Sequence, residues 1–203
     1  MPHRIEYYYS THSAYAYLGA QKLTQICTDH GCTLLHRPIY LSPVIEAAGS
    51  QPFAARSKAH ADYFFGREIE RWAEFRSADM IDFRPTHHDN PLTLPNGLII
   101  AAAEAGAPVD ELSYEILRAH WVDDADHADA ATLAGLISGL GLDADSLLTA
   151  AMSDPIQALH DKYTQEAIDH SVFGSPTYVL DGDMFYGQDR LELLEYALVK
   201  RSG

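Results

Sequence analysis

The 203-residue chain predicts an α/β domain in two pieces, residues 1–45 and 170–203, interrupted by a large all-helical insertion over residues 46–169. Three observations carry this expectation. β-branched and aromatic runs stand near both ends of the chain and are missing from its middle. Apolar residues at helical spacing fill that middle in successive blocks. Near the carboxy end, Asp181-Gly182 separates two short apolar runs, a two-residue hairpin signal.

Taken in order, Arg4 to Tyr9 suits a buried strand, and Ala14 to about Asp29 repeats Leu18, Leu23 and Ile26 at helical spacing until Gly31 stops the helix. Thr33 to Tyr40, ending near Pro38 and Pro43, completes a β-α-β opening, for which parallel strands are the natural outcome. FFGREIERWAEF, NGLIIAAAEAGA, ELSYEILRAHWV, ADAATLAGLISGLGL and ADSLLTAAM then read as successive helices. Start signals stand at Asp110, at Asp143, and at Asp154 before Pro155. PTYVLDGDMFYG supplies two more strands, and Arg190 to Lys200 the closing helix.

Composition narrows the function. With 14 Lys+Arg against 29 Asp+Glu, the net charge of −15 argues against nucleic acid or an anionic membrane as a partner. An anionic ligand therefore needs a local basic group. No apolar stretch of signal-peptide length follows the first basic residues, so a cytoplasmic location is expected. The two cysteines, Cys27 and Cys32, fit neither a zinc motif nor a redox Cys-x-x-Cys and read as reduced and structural. THHDN at Thr86 to Asn90 and DDADHAD at Asp123 to Asp129 do not place three ligands on one helical face, so no metal is expected.

One small polar residue stands out. Ser13 lies where the first strand gives way to the first helix, a place where unpaired backbone N–H groups and the helix dipole favour negative charge. On its own it reads as a helix cap. Far away in sequence, Ser175-Pro176 opens the third strand, where proline is tolerated in either isomer.

Together these features resemble a thioredoxin-like fold. The version with a large helical insertion is similar to kappa-class glutathione transferases and bacterial 2-hydroxychromene-2-carboxylate isomerases. The likeness is carried by Ser13 with AYAYLG, by RWA at Arg71 to Ala73, and above all by VFGSPTYVLDGDMFYGQDRLELLEYAL, Val172 to Leu198. It spans essentially the whole chain. Ser13-Ala14-Tyr15-Ala16 stands where thioredoxin-like oxidoreductases carry Cys-x-x-Cys, so disulfide exchange has neither a nucleophile nor a resolving thiol there.

What the resemblance implies is a homodimer that uses glutathione as cofactor and takes a small aromatic substrate. Ser13 is the implied catalytic residue, its O–H donating to the glutathione thiolate. Backbone groups of Ser175 are implied to pair with the cysteinyl amide, which requires a cis Pro176. Asp189 would take the γ-glutamyl ammonium, and Arg190 would orient that carboxylate or neutralise the ligand. Gln188 stands where relatives carry Asn or Ser, Ser50 aligns with a family asparagine near the ligand, and Lys58 or Arg56 would meet a carboxylate. Tyr15 and insertion aromatics would wall a flat substrate.

Two departures from the family pattern are visible: Ala14 replaces a proline, and His12 replaces an apolar or small residue. His12 offers an acid or base to a substrate. The implied reaction is cis–trans isomerisation of an aromatic hydroxy or keto acid by reversible thiolate addition. Its rivals are a kappa-like transferase that releases a conjugate, and a non-catalytic thiol-binding module in which Ser13 only caps a helix.

Overall fold

Tyrosines spaced two apart define the first strand. In a computed structural model, which describes residues 3–202, β1 spans Arg4–Tyr9. Its Tyr7 and Tyr9 project to one face, as the period of a strand requires, and stack with ring centroids 4.1 Å apart. Tyr178 continues the stack 5.4 Å from Tyr7, on a strand running Thr177–Leu180. All three rings are buried.

Helix α1, Ala14–His30, follows at once and ends at Gly31, whose φ of 62° is the left-handed conformation that glycine adopts without steric cost. Strand β2, Thr33–Pro38, lies parallel to β1 from Arg4↔Thr33 to Tyr9↔Pro38. The strand carrying Tyr178 is β3; it runs antiparallel to β1 and pairs with β4, Asp183–Tyr186, giving the sheet order β2-β1-β3-β4. Asp181 and Gly182 both have positive φ, the signature of the tight hairpin expected from the sequence.

Between the two halves lie α2 (Leu41–Ala47), α3 (Lys58–Asp62), α4 (Glu68–Arg76), α5 (Thr93–Glu104), α6 (Val109–Val122), α7 (Ala130–Gly139), α8 (Ala144–Ala151) and α9 (Asp154–Asp169). Helix α2 spans both sides of the expected boundary between residues 45 and 46. Helix α5 is the insertion's centre: every residue from Pro95 to Ala102 is buried, and Gly97 sits so close to the Ala151 carbonyl of α8 that a Cβ has no room. The closing helix, α10 (Leu191–Ser202), is tied to α1 by Lys22–Glu195 at 2.6 Å and to α4 by Arg76–Glu192 at 2.8 Å.

The helix starts differ in detail from the sequence reading. Asp143 caps α8, accepting from Ser146 N–H at 3.1 Å. Asp154 is the first residue of α9, whose cap is Ser153. Asp110 is inside the first turn of α6, whose cap position is Pro108, and its carboxylate turns to His36 Nε2 at 2.7 Å. A carboxylate only accepts, so His36 Nε2–H donates to Asp110; with a neutral ring, Tyr9 O–H then donates to His36 Nδ1 and Ser113 O–H to Tyr9. FFGREIERWAEF also divides. Tyr63–Arg67 winds as a π-helical turn before α4 begins.

One buried amide locks the β1–α1 loop to the insertion. Asn96 Oδ1 accepts from Thr11 N–H at 3.2 Å and from Thr11 O–H at 2.8 Å. Its Nδ2 donates to the Ile39 carbonyl at 3.2 Å and to His160 Nε2 at 3.1 Å. Replacing Asn96 by Ala strands several buried polar groups at once, so we expect a loss of about 3 kcal/mol. Denaturant unfolding of the variant against the parent measures it, and an unchanged midpoint would show the network to be dispensable.

Candidate active site

Residues 10–13 turn the chain from β1 into α1. The Ser13 N–H donates to the Ser10 carbonyl at 2.9 Å, which fixes the turn. At φ −73° and ψ 118° Ser13 has the extended backbone of a helix cap, and its Oγ accepts from Ala16 N–H at 3.2 Å. The first turn of α1 carries no acidic residue, so in a chain of net charge −15 its dipole end stays uncompensated.

The hydroxyl proton of Ser13 goes to Ser175 O, 3.3 Å away. Ser10 N–H in turn donates to Ser175 Oγ at 3.1 Å, so the serine pair from the amino-terminal half grips the serine before the third strand. The Ser175–Pro176 bond is cis, the isomer that the resemblance requires. Ser13 is 8% exposed and Ser175 half-buried. A cavity of about 340 Å³ lies elsewhere, along the flank of α1 between Lys22, Phe75, Arg76 and Tyr114.

Tyr15, the second residue of α1, is half-buried and reaches across to the insertion, donating its O–H to the Phe64 carbonyl at 2.6 Å. Phe64 belongs to the π-helical turn, and its ring lies 5.0 Å from that of Tyr15 and 5.0 Å from Phe65. Phe53 packs 5.8 Å from Phe65, with the Arg56 guanidinium 4.5 Å above the Phe53 ring. Phe53, Tyr63 and Phe65 remain exposed, so the wall beside Tyr15 is aromatic and open. Single π-turns of this kind often mark functional positions.

The remaining expected residues fall into two groups. Gln188 is buried, with its Oε1 accepting from Arg76 Nε at 3.1 Å while its Nε2 has no partner among the described residues. Beside it, Asp189 and Arg190 form an ion pair on a half-exposed turn. Ser50 and Lys58 are exposed: Ser50 N–H closes the end of α2 on the Ile45 carbonyl, and Lys58 pairs with Asp62 along one helix at 2.6 Å. Cys27 is buried, which pushes its thiol up to about 12 and keeps it protonated.

His12 is set apart by its surroundings. Its Nδ1 meets Ser10 Oγ at 2.8 Å, and its carbonyl accepts from Trp121 Nε1–H at 3.1 Å. His88, His120 and His127 gather behind it, bringing together the two His/Asp-rich stretches seen in the sequence with a histidine of α6. Burial first, then the neighbouring imidazoles, lowers His12 from 6.5 to about 3. Among the described residues, no three His, Cys, Asp or Glu side chains are placed to hold a metal ion.

Residues 4–199 match the DsbA-like thioredoxin domain. The chain belongs to the DsbA-like thioredoxin family. Within it, the chain is 28% identical over 206 residues to a 2-hydroxychromene-2-carboxylate isomerase of Sphingobium xenophagum, covering 98% of this chain and all of that one. It is 25% identical to glutathione S-transferase kappa 1 of Rattus norvegicus, over 97% of this chain and 91% of the relative. A solved 2-hydroxychromene-2-carboxylate isomerase superposes with a TM-score of 0.84 at 26% identity, covering 98% of this chain and 96% of that one. The resemblance read from Ser13 and the carboxy-terminal motif is met by these matches.

In this DsbA-like domain, sequence reasoning missed Ser10, Asn96 and the convergence of four histidines. The only signal for Asn96 was a lone amide in an otherwise apolar helix. Five histidines, His12, His88, His120, His127 and His160, have folded pKa values of about 3 to 4, each lowered chiefly by burial. A folded pKa below the unfolded 6.5 means that, as pH falls through about 6.5, the unfolded chain takes up protons that the folded chain refuses. Stability is therefore full above that pH and is lost as pH drops toward about 4. We expect the urea midpoint to fall between about pH 7 and about pH 5, a window above most carboxylate titration, and the fall to be smaller in His88→Gln. Equal midpoints at both pH values would contradict the buried neutral assignment.

Proposed function

We propose that the protein is a glutathione-dependent cis–trans isomerase of an aromatic hydroxy or keto acid, with Ser13 stabilising the glutathione thiolate. The observation that carries this reading is the placement of the Ser13 hydroxyl at an uncompensated helix start beside the Ser175 carbonyl, with no cysteine there. The residues suit the group. At 3.3 Å the Ser13–Ser175 bond is long for O–H···O, so its proton is readily redirected to a better acceptor. Once redirected, the Ser175 carbonyl is left to accept from a peptide N–H of the ligand. The Asp189–Arg190 pair offers both charges that a glutamyl head group, with its ammonium and carboxylate, requires.

The chemistry that bound glutathione supplies is reversible thiolate addition to a conjugated double bond. Ser13 and the start of α1 hold negative charge at the sulfur, which keeps the thiol ionised at neutral pH and makes it a good leaving group on return. Tyr15 with Phe64 orients a flat ring, and the aromatic side chains exclude water from one side of it. Relatives named as isomerases support this outcome. The rat transferase supports the alternative, a kappa-like enzyme that releases the adduct.

Ser13→Ala is expected to lower kcat/KM by roughly 10²-fold or more, while loss of the cap costs only about 1 kcal/mol of stability. Product analysis of the parent enzyme decides the reaction class: an isomerase returns glutathione unmodified, and a conjugate containing its sulfur points to the transferase. Full activity in Ser13→Ala would reduce that residue to a helix cap.

A further inference from the structure

Four histidines from separate segments lie in one row behind the β1–α1 junction. His12 precedes Ser13, His88 comes from the loop before α5, His120 from α6, and His127 from the loop before α7. The rings of His12 and His88 meet edge to face at 4.8 Å. His88 Nδ1 and His120 Nε2 are 3.0 Å apart, and His120 Nδ1 and His127 Nδ1 are 2.8 Å apart. His120 and His127 are fully buried, and His127 Nε2 has no partner among the described residues.

The arrangement restricts where protons can sit. A neutral imidazole carries one N–H, so the two links must run in the same direction along the row. Both nitrogens of His120 are committed. The links alone do not set the charge, since a doubly protonated His120 can donate to both neighbours. Burial is what holds the trio neutral, with His88 near 4 and His120 and His127 near 3.

His12 differs from the trio in having a rotatable partner. Ser10 Oγ both donates and accepts, so either neutral tautomer of His12 is satisfied at Nδ1, and Nε2 is left for a ligand. Trp121 pins the backbone, and His12 is bonded directly to Ser13, the residue proposed to face the sulfur. We propose that His12 is a catalytic general base and acid that carries a proton between oxygens of the substrate, and that His88, held in place by His120 and His127, is a positioning residue that covers the His12 ring and keeps it neutral by excluding water. This rests on the isomerase reading above.

For a substrate held as a cyclic hemiketal the step balances without a co-reactant. His12 Nε2 takes the hydroxyl proton: the O–H bond breaks and N–H forms. The oxygen electron pair closes a carbonyl as the ring C–O bond breaks. The phenolate released then takes the proton from His12, which returns to neutral. No proton, electron or water is consumed.

The charged and titratable groups facing the row are Arg84 and Asp89, themselves paired, beside His12 and His88, and Asp124, Asp126 and His87 around His120 and His127. Arg84 acts with the array in disfavouring a proton on His12, and Asp89 against it.

Two measurements test this. Imidazole-labelled protein followed by nuclear magnetic resonance should show His12 unprotonated down to about pH 5, and protonating closer to 6.5 once His88→Ala uncovers its ring to water. Separately, His12→Gln, which keeps a partner for Ser10, should lower kcat roughly 10²-fold with glutathione affinity unchanged. Titration of His12 near 6.5 in the parent, or full kcat in His12→Gln, overturns the proposal. A parent that binds no glutathione instead overturns the isomerase reading, and the histidine titration still reports on the array.

Discussion

Beside the β1–β3 ladder, one hydroxyl proton ties the start of the first helix to the second half of the α/β domain. Ser13 and Ser175 are 162 residues apart in sequence, yet the bond between them fixes the start of α1 against the turn into β3. That junction is also where backbone geometry leaves amide N–H groups without helical partners. In a chain with twice as many acidic as basic residues, a helix start free of acidic side chains is an electrostatic exception. The bond is long and therefore weak, so the fold places a readily surrendered donor at the point most welcoming to an anion.

Much of the surrounding structure keeps that point in place. Asn96 spans Thr11, Ile39 and His160, joining the junction to the β2–α2 connection and to α5 and α9. Trp121 fixes His12 from α6, and Tyr15 reaches into the π-helical turn. Each tie is a hydrogen bond to a buried or half-buried group, where an unmet partner is costly. The insertion is thus a brace for the residues between β1 and α1, which gives a physical reason for such a large helical block beside a small sheet.

The sheet and its hairpin were legible because their signals are local. Asp181 and Gly182 need positive φ, Gly31 needs a left-handed conformation, and tyrosines two apart need one face of a strand. Signals shared by two outcomes were not decisive. An acidic residue near a helix start reads the same whether it caps, as Asp143 does, or turns away to a histidine, as Asp110 does. The π-turn left no mark, since apolar periodicity continues through Tyr63–Arg67. At the site, Ser13 was visible from the change of pattern around it. The histidine row was present as two His-rich stretches, but their meeting behind His12 depends on how α6 packs, a long-range matter no local pattern encodes. The cis state of Pro176 was legible only through the family likeness, because proline at a strand start fits both isomers.

The aromatic wall has a different standing from the junction it faces. Tyr15 is anchored to the backbone of Phe64, not to its ring, so side chains on the turn can be exchanged without cutting that tie. Phe53, Tyr63 and Phe65 project outward with few neighbours to disturb. Such a division lets surface substitution remodel the wall while the Ser13–Ser175 junction and the histidine row stay intact. The two features can therefore vary independently, the wall by exchange of exposed rings and the junction only by cutting buried ties.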